Sequence, residues 1–443
     1  MFIEQVIRKI WEPISVEYQA VYNEYIHFSA DELVSEIKAE LENTKLGAEP
    51  NELMNVTSLI TSGCPHCKRD GNFAGCSFCD FYSTFGKGLA KVDALKEKNK
   101  RLYAQITKYS IEVQRGQFPE AALVEYFSGH DTLNPDEVID DIYEELFSDG
   151  QSFKTKAYSC FFETRASNIT LERLINWKKK IGDKISKRIE AVFGVELSNE
   201  WLRVHWLNKN ITNKQIIKAI TEIRKAKLRS GATILIGIPG LTERQSLEMF
   251  IDSFGALYKG DLTHIVCSPL IHKGYTLQAF LHNSLGNNEF LLNQGIGSGM
   301  PSIYTVFDAV VSIVEKYPDA INKMIFCPAY FPPYLKLVAD FYRHGSEKFY
   351  VNEIIRMLNK YSLDRATDEL FDLRDKIAQT EFYKDYKKRI NRQNGIHEIP
   401  ETIETIGKEI AKVMWPDNWP EKHALLAEEL KTYSHQSLVE EII

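Results

Sequence analysis

Short apolar segments alternate with longer amphipathic segments from about residue 55 onward, and this alternation limits the possible folds more than any other feature of the sequence. Six segments have the length and apolar character of buried strands, at 56–63, 122–129, 155–164, 188–198, 232–240 and 263–271. The segments between them are typical of helices, at 87–115, 135–148, 170–181, 199–208, 212–229 and 242–258. Strands that alternate with helices form a parallel sheet with right-handed crossovers, and six units fall short of a complete (β/α)8 barrel. We therefore expect an α/β fold built on a partial, TIM-like (β/α)6 barrel.

The two flanks of this barrel are expected to be helical. Leu33, Ile37 and Leu41 recur four residues apart, which is typical of the apolar face of a helix. Segments 334–344 and 401–414 have the same helical character. We predict three parts: a helical N-terminal extension (1–54), the partial barrel (55–290), and a mainly helical C-terminal region (291–443) that covers the barrel and shapes the substrate site.

The composition and charge are ordinary for a water-soluble globular protein. The 443 residues are 44% hydrophobic and 26% charged, and the formal net charge is −7. An acidic chain has no general electrostatic attraction for RNA or DNA, although a local basic groove stays compatible with these numbers. Residues 1–18 lack the long apolar core of a secretory signal, and no apolar run approaches the ~18 residues of a membrane span. We expect a cytoplasmic protein without a membrane partner, whose cysteines stay reduced.

Four of the seven cysteines lie close together in the stretch GCPHCKRDGNFAGCSFCDF, residues 63–81. They form two Cys-x-x-Cys pairs, which resemble the two halves of a tetrahedral zinc site. Against zinc, Cys79 is followed by Asp80 rather than by the small residues of a zinc knuckle. The stretch also follows the first predicted strand, where parallel α/β folds place their chemistry. Alternatively, three thiolates bind three irons of a [4Fe–4S] cluster and leave the fourth iron open to a ligand with amino and carboxylate groups.

The same stretch resembles the radical S-adenosylmethionine (SAM) superfamily, in its elongator-like and coproporphyrinogen-oxidase-like branch. One group in that branch combines a C-x11-C-x2-C spacing with Cys-Pro, Arg-Asp-Gly and Gly-Cys-x-Phe-Cys, and this chain has Cys64-Pro65, 69–71 and 75–79. The Arg-Asp-Gly lies later here than in the family, and Cys67 is extra, so either Cys64 or Cys67 is the first ligand. The total spacing favours Cys64. The resemblance then implies that Cys64, Cys76 and Cys79 bind a [4Fe–4S] cluster.

Five further segments, in order along the chain, resemble the SAM-binding segments of the same branch. They are 123–135, 161–170, 194–212, 234–242 and 267–277. In the second of these, Ala166 stands where the family has a proline. Together with the aromatic residue inside the cysteine motif, they imply contacts to SAM from Phe78, Ser128, Gly129, Glu163, Arg165, Glu196, Ser198, Gly237 and Pro239.

The resemblance implies an oxidoreductase or transferase that cleaves SAM reductively to a 5′-deoxyadenosyl radical and abstracts hydrogen from a peptide or natural-product precursor. Reduced flavodoxin or ferredoxin would be the electron donor. Cys327 either packs as a buried side chain or donates a hydrogen atom to the substrate radical, as an amino-acid epimerisation would require. Two alternatives stay open: a radical SAM enzyme that modifies RNA, against which the acidic charge counts, and a zinc-binding protein without catalysis.

Overall fold

The computed structural model describes residues 1–43, 54–69, 72–117, 124–128, 130–147, 159–185, 188–326, 347–435 and 437–438. In chain order its strands are β1 (Met54–Ser58), β2 (Lys68–Arg69), β3 (Asn72–Phe73), β4 (Val124–Ser128), β5 (Ser159–Thr164), β6 (Ile189–Glu196), β7 (Arg229–Ile236), β8 (His264–Pro269) and β9 (Met324–Phe326). Strands β2 and β3 form a small antiparallel pair. The other seven form one sheet.

The large sheet is parallel throughout and follows the order of the chain. Its strand order is β1-β4-β5-β6-β7-β8-β9, and every neighbouring pair runs in the same direction. Right-handed crossovers between strands in sequential order place the connecting helices on one face. Strands β1 and β9 are the two edges, so the sheet is an open arc with an inner and an outer face. The predicted partial barrel is confirmed.

The helices surround this arc and form both flanks. They are α1 (Phe2–Tyr25), α2 (Ala30–Asn43), α3 (Phe81–Lys98), α4 (Lys100–Gln117), α5 (Asp140–Phe147), α6 (Leu171–Ile185), α7 (Asn213–Lys225), α8 (Glu243–Lys259), α9 (Leu277–Leu285), α10 (Glu289–Asn293), α11 (Ile303–Lys316), α12 (Glu347–Asp364), α13 (Thr367–Ala378), α14 (Glu381–Asn391), α15 (Ile399–Met414) and α16 (Trp419–Leu430). None of the described helices combines the length and apolar character needed to cross a membrane.

The two faces of the strands differ in burial, because successive side chains point to opposite sides. In β8, Ile265 and Cys267 are buried, whereas His264, Val266 and Ser268, which alternate with them, are partly exposed. Strand β5 shows the same alternation over its carboxyl half. The buried side chains pack under the helices, and the partly exposed ones line the inner face of the arc.

Helices α7 and α8 begin at sequence-encoded caps, which fix where the loops after β6 and β7 end. The Thr212 hydroxyl accepts a hydrogen bond from the Gln215 N–H, and the Gln215 side chain bonds back to the Thr212 N–H. Thr242 and Gln245 form the same capping box at α8. Such a box satisfies backbone N–H groups that the helix itself leaves unpaired.

Three details differ from the sequence-based expectations. Strand β9 is an additional strand, because a three-residue segment inside the mainly helical C-terminal region gives too short a pattern to be predicted. The helix expected at 199–208 is instead a π-helical turn, Leu202–Trp206. The helix expected at 87–115 is divided into α3 and α4 at Asn99.

Two apolar cores hold the molecule together. The larger core lies between the outer face of the sheet and its helices. The second core joins α1, the cysteine stretch and the helices near the C-terminus, and it contains Phe2, Trp11, Cys64, Cys67 and Leu426. The cysteine stretch is therefore covered by residues from both flanks of the barrel.

Candidate metal and cofactor site

The four clustered cysteines lie in the loop that follows β1, beyond the carboxyl end of the sheet. Two tight turns shape this loop. The Cys67 N–H donates to the Cys64 carbonyl at 2.9 Å, and the Cys79 N–H donates to the Cys76 carbonyl at 3.1 Å. A turn of this kind brings its first and fourth Cα atoms to within about 7 Å. Each Cys-x-x-Cys pair is thus one turn with its two side chains close together.

The segment after the π-helical turn anchors the cysteine loop. The Ser77 N–H donates to the Leu207 carbonyl at 2.9 Å, and the Asn208 side-chain amide donates to the Gly75 carbonyl at 2.7 Å. On the other side, the Leu277 N–H donates to the Ser77 carbonyl at 2.7 Å. The loop therefore depends on contacts with the barrel loops after β6 and β8.

A cavity of ≈ 310 Å³ opens beside these thiols. All four cysteines of the loop line it, together with side chains from the carboxyl ends of β5, β6, β7 and β8. The sequence-predicted residues that border it are Cys64, Cys76, Phe78, Cys79, Glu163, Arg165 and Glu196. The structure thus brings seven of the predicted site residues to one place, and Cys67 as well.

Three predicted residues are described but do not line this cavity. The Ser198 hydroxyl donates to the Asp252 carboxylate at 2.5 Å and is fully buried against α8. Gly237 has a positive φ of 104° and lies in a tight turn after β7. The Pro239 carbonyl accepts a hydrogen bond from the Trp206 indole at 2.7 Å. These residues shape the loops around the site rather than its wall.

Three other predicted residues cannot be placed as side chains. Ser128 ends β4, where its backbone pairs with Ser58, but its side chain is not described. Gly129 and Cys327 lie outside the described residues, and Cys327 follows the last residue of β9 in the sequence. Their roles stay predictions.

The environment of the thiols differs from one cysteine to the next. The Cys76 sulfur lies 4.0 Å from Nη1 of Arg165. Burial raises the pKa of Cys76 to about 11, although the nearby Lys209 and Arg165 charges oppose this shift. A hydrogen bond with Cys67 lowers the pKa of Cys64, and hydrogen bonds with Cys64 and Cys79 raise the pKa of Cys67. Positive charge is thus available where thiolates would form.

A buried ion pair forms one wall of the cavity. The Lys209 ammonium donates to the Glu196 carboxylate at 2.7 Å, and both side chains are less than a tenth exposed. Burial by itself would lower the pKa of Lys209, but the Glu196 carboxylate and the nearby Cys76 sulfur together raise it. The same ammonium lies 5.8 Å from the centre of the Phe78 ring, within range of a cation–π contact. The pair therefore places charges of both signs beside Phe78.

The guanidinium of Arg165 is held in place by the backbone around it. Its Nη2 donates to the Lys209 carbonyl, and its backbone N–H donates to the Asp131 carboxylate at 2.9 Å. Asp131 is fully buried and also accepts hydrogen bonds from Thr164 at 2.8 Å and from Asn168 at 2.5 Å. The hydrogen bonds of Asp131 thus fix the backbone at Arg165, and the Arg165 side chain extends from there to Cys76.

One buried acceptor at this site has no partner among the described residues. The amide nitrogen of Gln278 donates to the carbonyls of Phe78 at 3.4 Å and Ile271 at 3.3 Å, which identifies it as the NH₂ end. The other end, Oε1, is buried without a hydrogen-bond partner in the described part of the protein. Because an unpaired buried acceptor is costly, this oxygen suits a ligand that carries an N–H or O–H donor.

The donor set of the cavity suits a thiolate-bound metal group. Among the described residues, no group of three or more Cys, His or carboxylate side chains is drawn together closely enough to hold one metal ion. The four thiols of the loop line one cavity. Thiolates bind both zinc and iron–sulfur clusters, and a four-iron cube separates its ligands more widely than a single ion does. The thiols that line the cavity therefore fit a thiolate-bound cluster as well as a zinc ion.

His130 and Lys209 line the cavity but were not predicted from the sequence. His130 borders the cavity, with its Nδ1 3.0 Å from the Glu137 carboxylate. Burial would lower the pKa of His130, but this carboxylate raises it. Lys209 lies between Asn208 and Asn210, both of which have a positive φ of 52°. Asparagine is enriched in that conformation, so the Asn-Lys-Asn sequence was the available signal of a sharp turn.

Comparisons with known proteins give a distant relative and a set of structural neighbours, three of which are described below. No protein-family model matches the chain. An uncharacterised protein of Methanocaldococcus jannaschii is 26% identical over 237 residues, which cover 53% of this chain and 60% of that protein. The chain thus spans less than two thirds of this relative.

The three structural neighbours described here are radical SAM enzymes. The methyltransferase TsrM from Kitasatospora setae, with tryptophan and a SAM analogue bound, is 12% identical with a TM-score of 0.31, over 53% of this chain and 40% of TsrM. TsrM with cobalamin and a [4Fe–4S] cluster is 14% identical with a TM-score of 0.30, over 51% and 38% of the two chains. Coproporphyrinogen III oxidase (HemN) from Escherichia coli is 14% identical with a TM-score of 0.38, over 64% and 56%. This chain spans 38% to 56% of the length of these neighbours. The ligands named above were bound to those proteins.

Proposed function

We propose that this protein is a radical SAM enzyme in which Cys64, Cys76 and Cys79 bind a [4Fe–4S] cluster. One observation carries this assignment: the three thiols and four of the predicted SAM-binding residues line one cavity at the carboxyl ends of parallel strands. That edge is where parallel α/β folds bind ligands. The resemblance of the cysteine motif and of five further segments points the same way.

Cys64, Cys76 and Cys79 would hold the cluster, which would supply the electron for reductive cleavage of SAM to methionine and a 5′-deoxyadenosyl radical able to abstract hydrogen from the substrate. In the cell, reduced flavodoxin or ferredoxin would provide that electron. The residues of the chain bind and orient SAM. Lys209 and Arg165 offer positive charge to its carboxylate, and Glu163 and Glu196 offer negative charge to its ammonium and sulfonium groups. Phe78 and the free oxygen of Gln278 offer a ring face and an acceptor for the adenine and its amino group.

The substrate would lie along the inner face of the arc, next to the SAM site. Partly exposed Phe161, Val266 and Ile325 provide apolar surface there. Thr233 and Ser268 provide hydroxyl groups at the cavity wall. This mixed surface suits a peptide or a small natural-product precursor, and binding there would exclude water from the reacting bond.

The cluster and the cleavage of SAM can be tested without knowing the substrate. The full chain is purified anaerobically and reconstituted, and roughly four irons and four sulfides per chain are expected, with a brown colour. Incubation with SAM and dithionite is expected to release 5′-deoxyadenosine. Cys64→Ser, Cys76→Ser and Cys79→Ser should each lose the cluster, whereas Cys160→Ser, on the buried outer side of β5, should retain it. A colourless protein with one zinc per chain would overturn the assignment and support the zinc-binding alternative.

A hydrogen-donor role for Cys327 is part of the same proposal. If the neighbouring genes encode a short precursor peptide, that peptide is the substrate to use. Cys327→Ala is then expected to consume SAM and peptide without forming the epimerised product. Unchanged product formed at an unchanged rate would remove Cys327 from the mechanism.

A further inference from the structure

Cys67 lies inside the proposed cluster site although it is not one of the three proposed ligands. Its side chain is 2% exposed and lines the same cavity as Cys64. Its thiol is hydrogen-bonded with the thiols of Cys64 and Cys79. A Cβ atom on Gly75 would lie 2.6 Å from the Cys67 sulfur, so the loop backbone closes over this thiol from behind. The Cys67 sulfur is therefore packed between the backbone at Gly75 and its neighbouring thiols.

The turn between Cys64 and Cys67 brings the two residues close to the Cα separation that a disulfide spans. The hydrogen bond from the Cys67 N–H to the Cys64 carbonyl closes a tight turn, Pro65–Cys67. Such a turn keeps the two Cα atoms within about 7 Å, and disulfides span Cα separations of about 4.4–6.8 Å. Both cysteines are free thiols in the structure. The two sulfurs can thus be joined by side-chain rotation with little movement of the backbone.

We propose that Cys64 and Cys67 form a disulfide bond when the cavity holds no cluster, and that this bond must be reduced before a cluster assembles. The second half of this proposal rests on the proposed function, because it requires Cys64 to be a cluster ligand. The disulfide itself does not.

Hydrogen peroxide is a sufficient oxidant for this step. It oxidises one thiol to a sulfenic acid with release of water, and the second thiol attacks that sulfur to form the S–S bond and release a second water. The two thiols lose two electrons and two protons in total, and both are taken up by the peroxide. A dithiol reductant reverses the reaction by thiol–disulfide exchange.

The other pairings in the loop are less favoured. Cys76 and Cys79 also share a tight turn, but the contact described for the Cys76 sulfur is with the Arg165 guanidinium at 4.0 Å rather than with another thiol. Cys67 and Cys79 are in thiol contact, but they belong to different turns of the loop. The Cys64–Cys67 pair combines both features, a shared turn and a thiol contact.

Peptide mass spectrometry can locate the bond. The full chain is stripped of metal with a chelator, freed of reductant, treated with one equivalent of hydrogen peroxide, denatured, alkylated and digested with trypsin. Cleavage after Lys45 and Lys68 places Cys64 and Cys67 in peptide 46–68, and cleavage after Arg69 and Lys87 places Cys76 and Cys79 in peptide 70–87. We expect peptide 46–68 to lose two hydrogens and take up no alkyl label, and peptide 70–87 to be fully labelled. A fully labelled peptide 46–68, a mass loss on peptide 70–87, or a cross-link between the two peptides would each overturn the pairing.

Cluster assembly then tests the consequence of the bond. Reconstituted without a dithiol, peroxide-treated protein is expected to assemble its cluster only as fast as the added sulfide reduces the bond, about fivefold more slowly than the same sample after dithiothreitol. Cys67→Ser treated in the same way should assemble at the rate of its reduced form, whereas the matched Cys160→Ser should behave like the unmodified chain. Equal rates before and after dithiothreitol would overturn the requirement for reduction. If the reduced protein takes up no iron, the proposed function fails, and the peptide masses still decide whether the disulfide forms.

Discussion

At the scale of single residues, the buried Glu196–Lys209 pair depends on the absence of a side chain at Gly194. A Cβ atom there would overlap the Glu196 carboxylate and the Lys209 ammonium. Glu196 itself has a positive φ of 66°, a conformation that side chains rarely adopt, so the pair has little freedom to move. The Glu196 carboxylate and the Lys209 ammonium are therefore packed against the backbone of β6 at Gly194, which confines them to one geometry.

Gly194→Ala is expected to lower the free energy of unfolding by about 1–3 kcal/mol, because the added methyl group displaces the ion pair from a filled site. Urea unfolding followed by fluorescence measures this change. Gly274→Ala is the matched control, because a Cβ atom at Gly274 would meet nothing within 4 Å. Equal effects at the two positions would show that the pair is not confined by Gly194.

Lys209→Met is expected to destabilise the protein by about 3–5 kcal/mol, because it leaves the Glu196 carboxylate buried without its partner. Glu196→Gln in the same chain removes that charge, so the double variant should recover most of the loss. A double-mutant cycle from urea unfolding gives the coupling. Additive losses in the double variant would contradict a direct pairing.

Gln278→Met is expected to weaken SAM binding by the cluster-loaded protein about fivefold, since one hydrogen bond is worth about 0.5–1.5 kcal/mol. Anaerobic isothermal titration with SAM measures the affinity. Gln294→Met is the control, because Gln294 lies on the surface at the end of α10. Unchanged affinity in Gln278→Met would mean that the free oxygen does not meet the adenine.

At the scale of elements, α1 fixes the cysteine loop from outside the barrel. Trp11 is fully buried, and its indole N–H donates to the Tyr275 carbonyl at 2.6 Å, in the loop after β8. The same ring would lie 2.9 Å from a Cβ atom on Gly75. Further along α1, the Tyr18 ring packs edge-on against Phe73 at 4.9 Å. One helix thus contacts the loop at two places and ties it to β8.

Trp11→Ala is expected to destabilise the protein by about 3–5 kcal/mol, because it empties a large buried site between two loops. Amide exchange over residues 64–79 should also become faster than in the unmodified chain. Val16→Ala on the same helix is the control, because Val16 is 65% exposed and its loss should change stability by less than about 0.5 kcal/mol. Unchanged exchange in the loop would show that α1 does not hold it.

The elements of the barrel were predictable because each strand carries its own local signal. All six predicted strands occur, with ends shifted by a few residues, as in β7 (Arg229–Ile236) for the predicted 232–240. Strand β9 has three residues and lies beside β8, so its pairing depends on a neighbour that no local pattern reveals. The π-helical turn at Leu202–Trp206 likewise differs from an α-helix by one backbone register rather than by residue type.

The site residues that belong to a sequence motif could be predicted. Those that reach the site only through tertiary contacts could not. The cysteines, Phe78, Glu163, Arg165 and Glu196 all belong to recognisable segments, and they meet in the cavity. Ser198 belongs to such a segment too, but its hydroxyl bonds to Asp252 on α8 instead. Trp11 and Gln278 reach the site from α1 and α9, and nothing in their local sequence indicates that approach.

At the scale of the whole molecule, the charge distribution bears on the alternative of an RNA substrate. The net charge is −7, and the described cations near the cavity are engaged with carboxylates or carbonyls, as Lys209 is with Glu196 and Lys273 with Asp80. Binding to RNA releases counterions in proportion to the phosphates that free cations neutralise. The structure offers little such charge at the mouth of the barrel.

We expect fluorescence anisotropy with labelled transfer RNA to give weak binding with an almost flat dependence on salt between 50 and 200 mM, because few phosphates would be neutralised. A steep fall in affinity with salt would instead favour the RNA-modifying alternative. Lysozyme, a small basic protein, is a suitable positive control for the electrostatic response.

The second apolar core has a consequence for biosynthesis. It contains Cys64 and Cys67 together with Phe2 and Leu426, so it is complete only after the ribosome has released Leu426. Translation proceeds at about 5–20 residues per second, and the roughly 350 residues between Cys79 and Leu426 therefore take on the order of tens of seconds. During that interval the thiols of the nascent chain lack the cover that α16 completes. Each newly made molecule thus passes through a period in which Cys64 and Cys67 lack the apolar cover that the finished core provides.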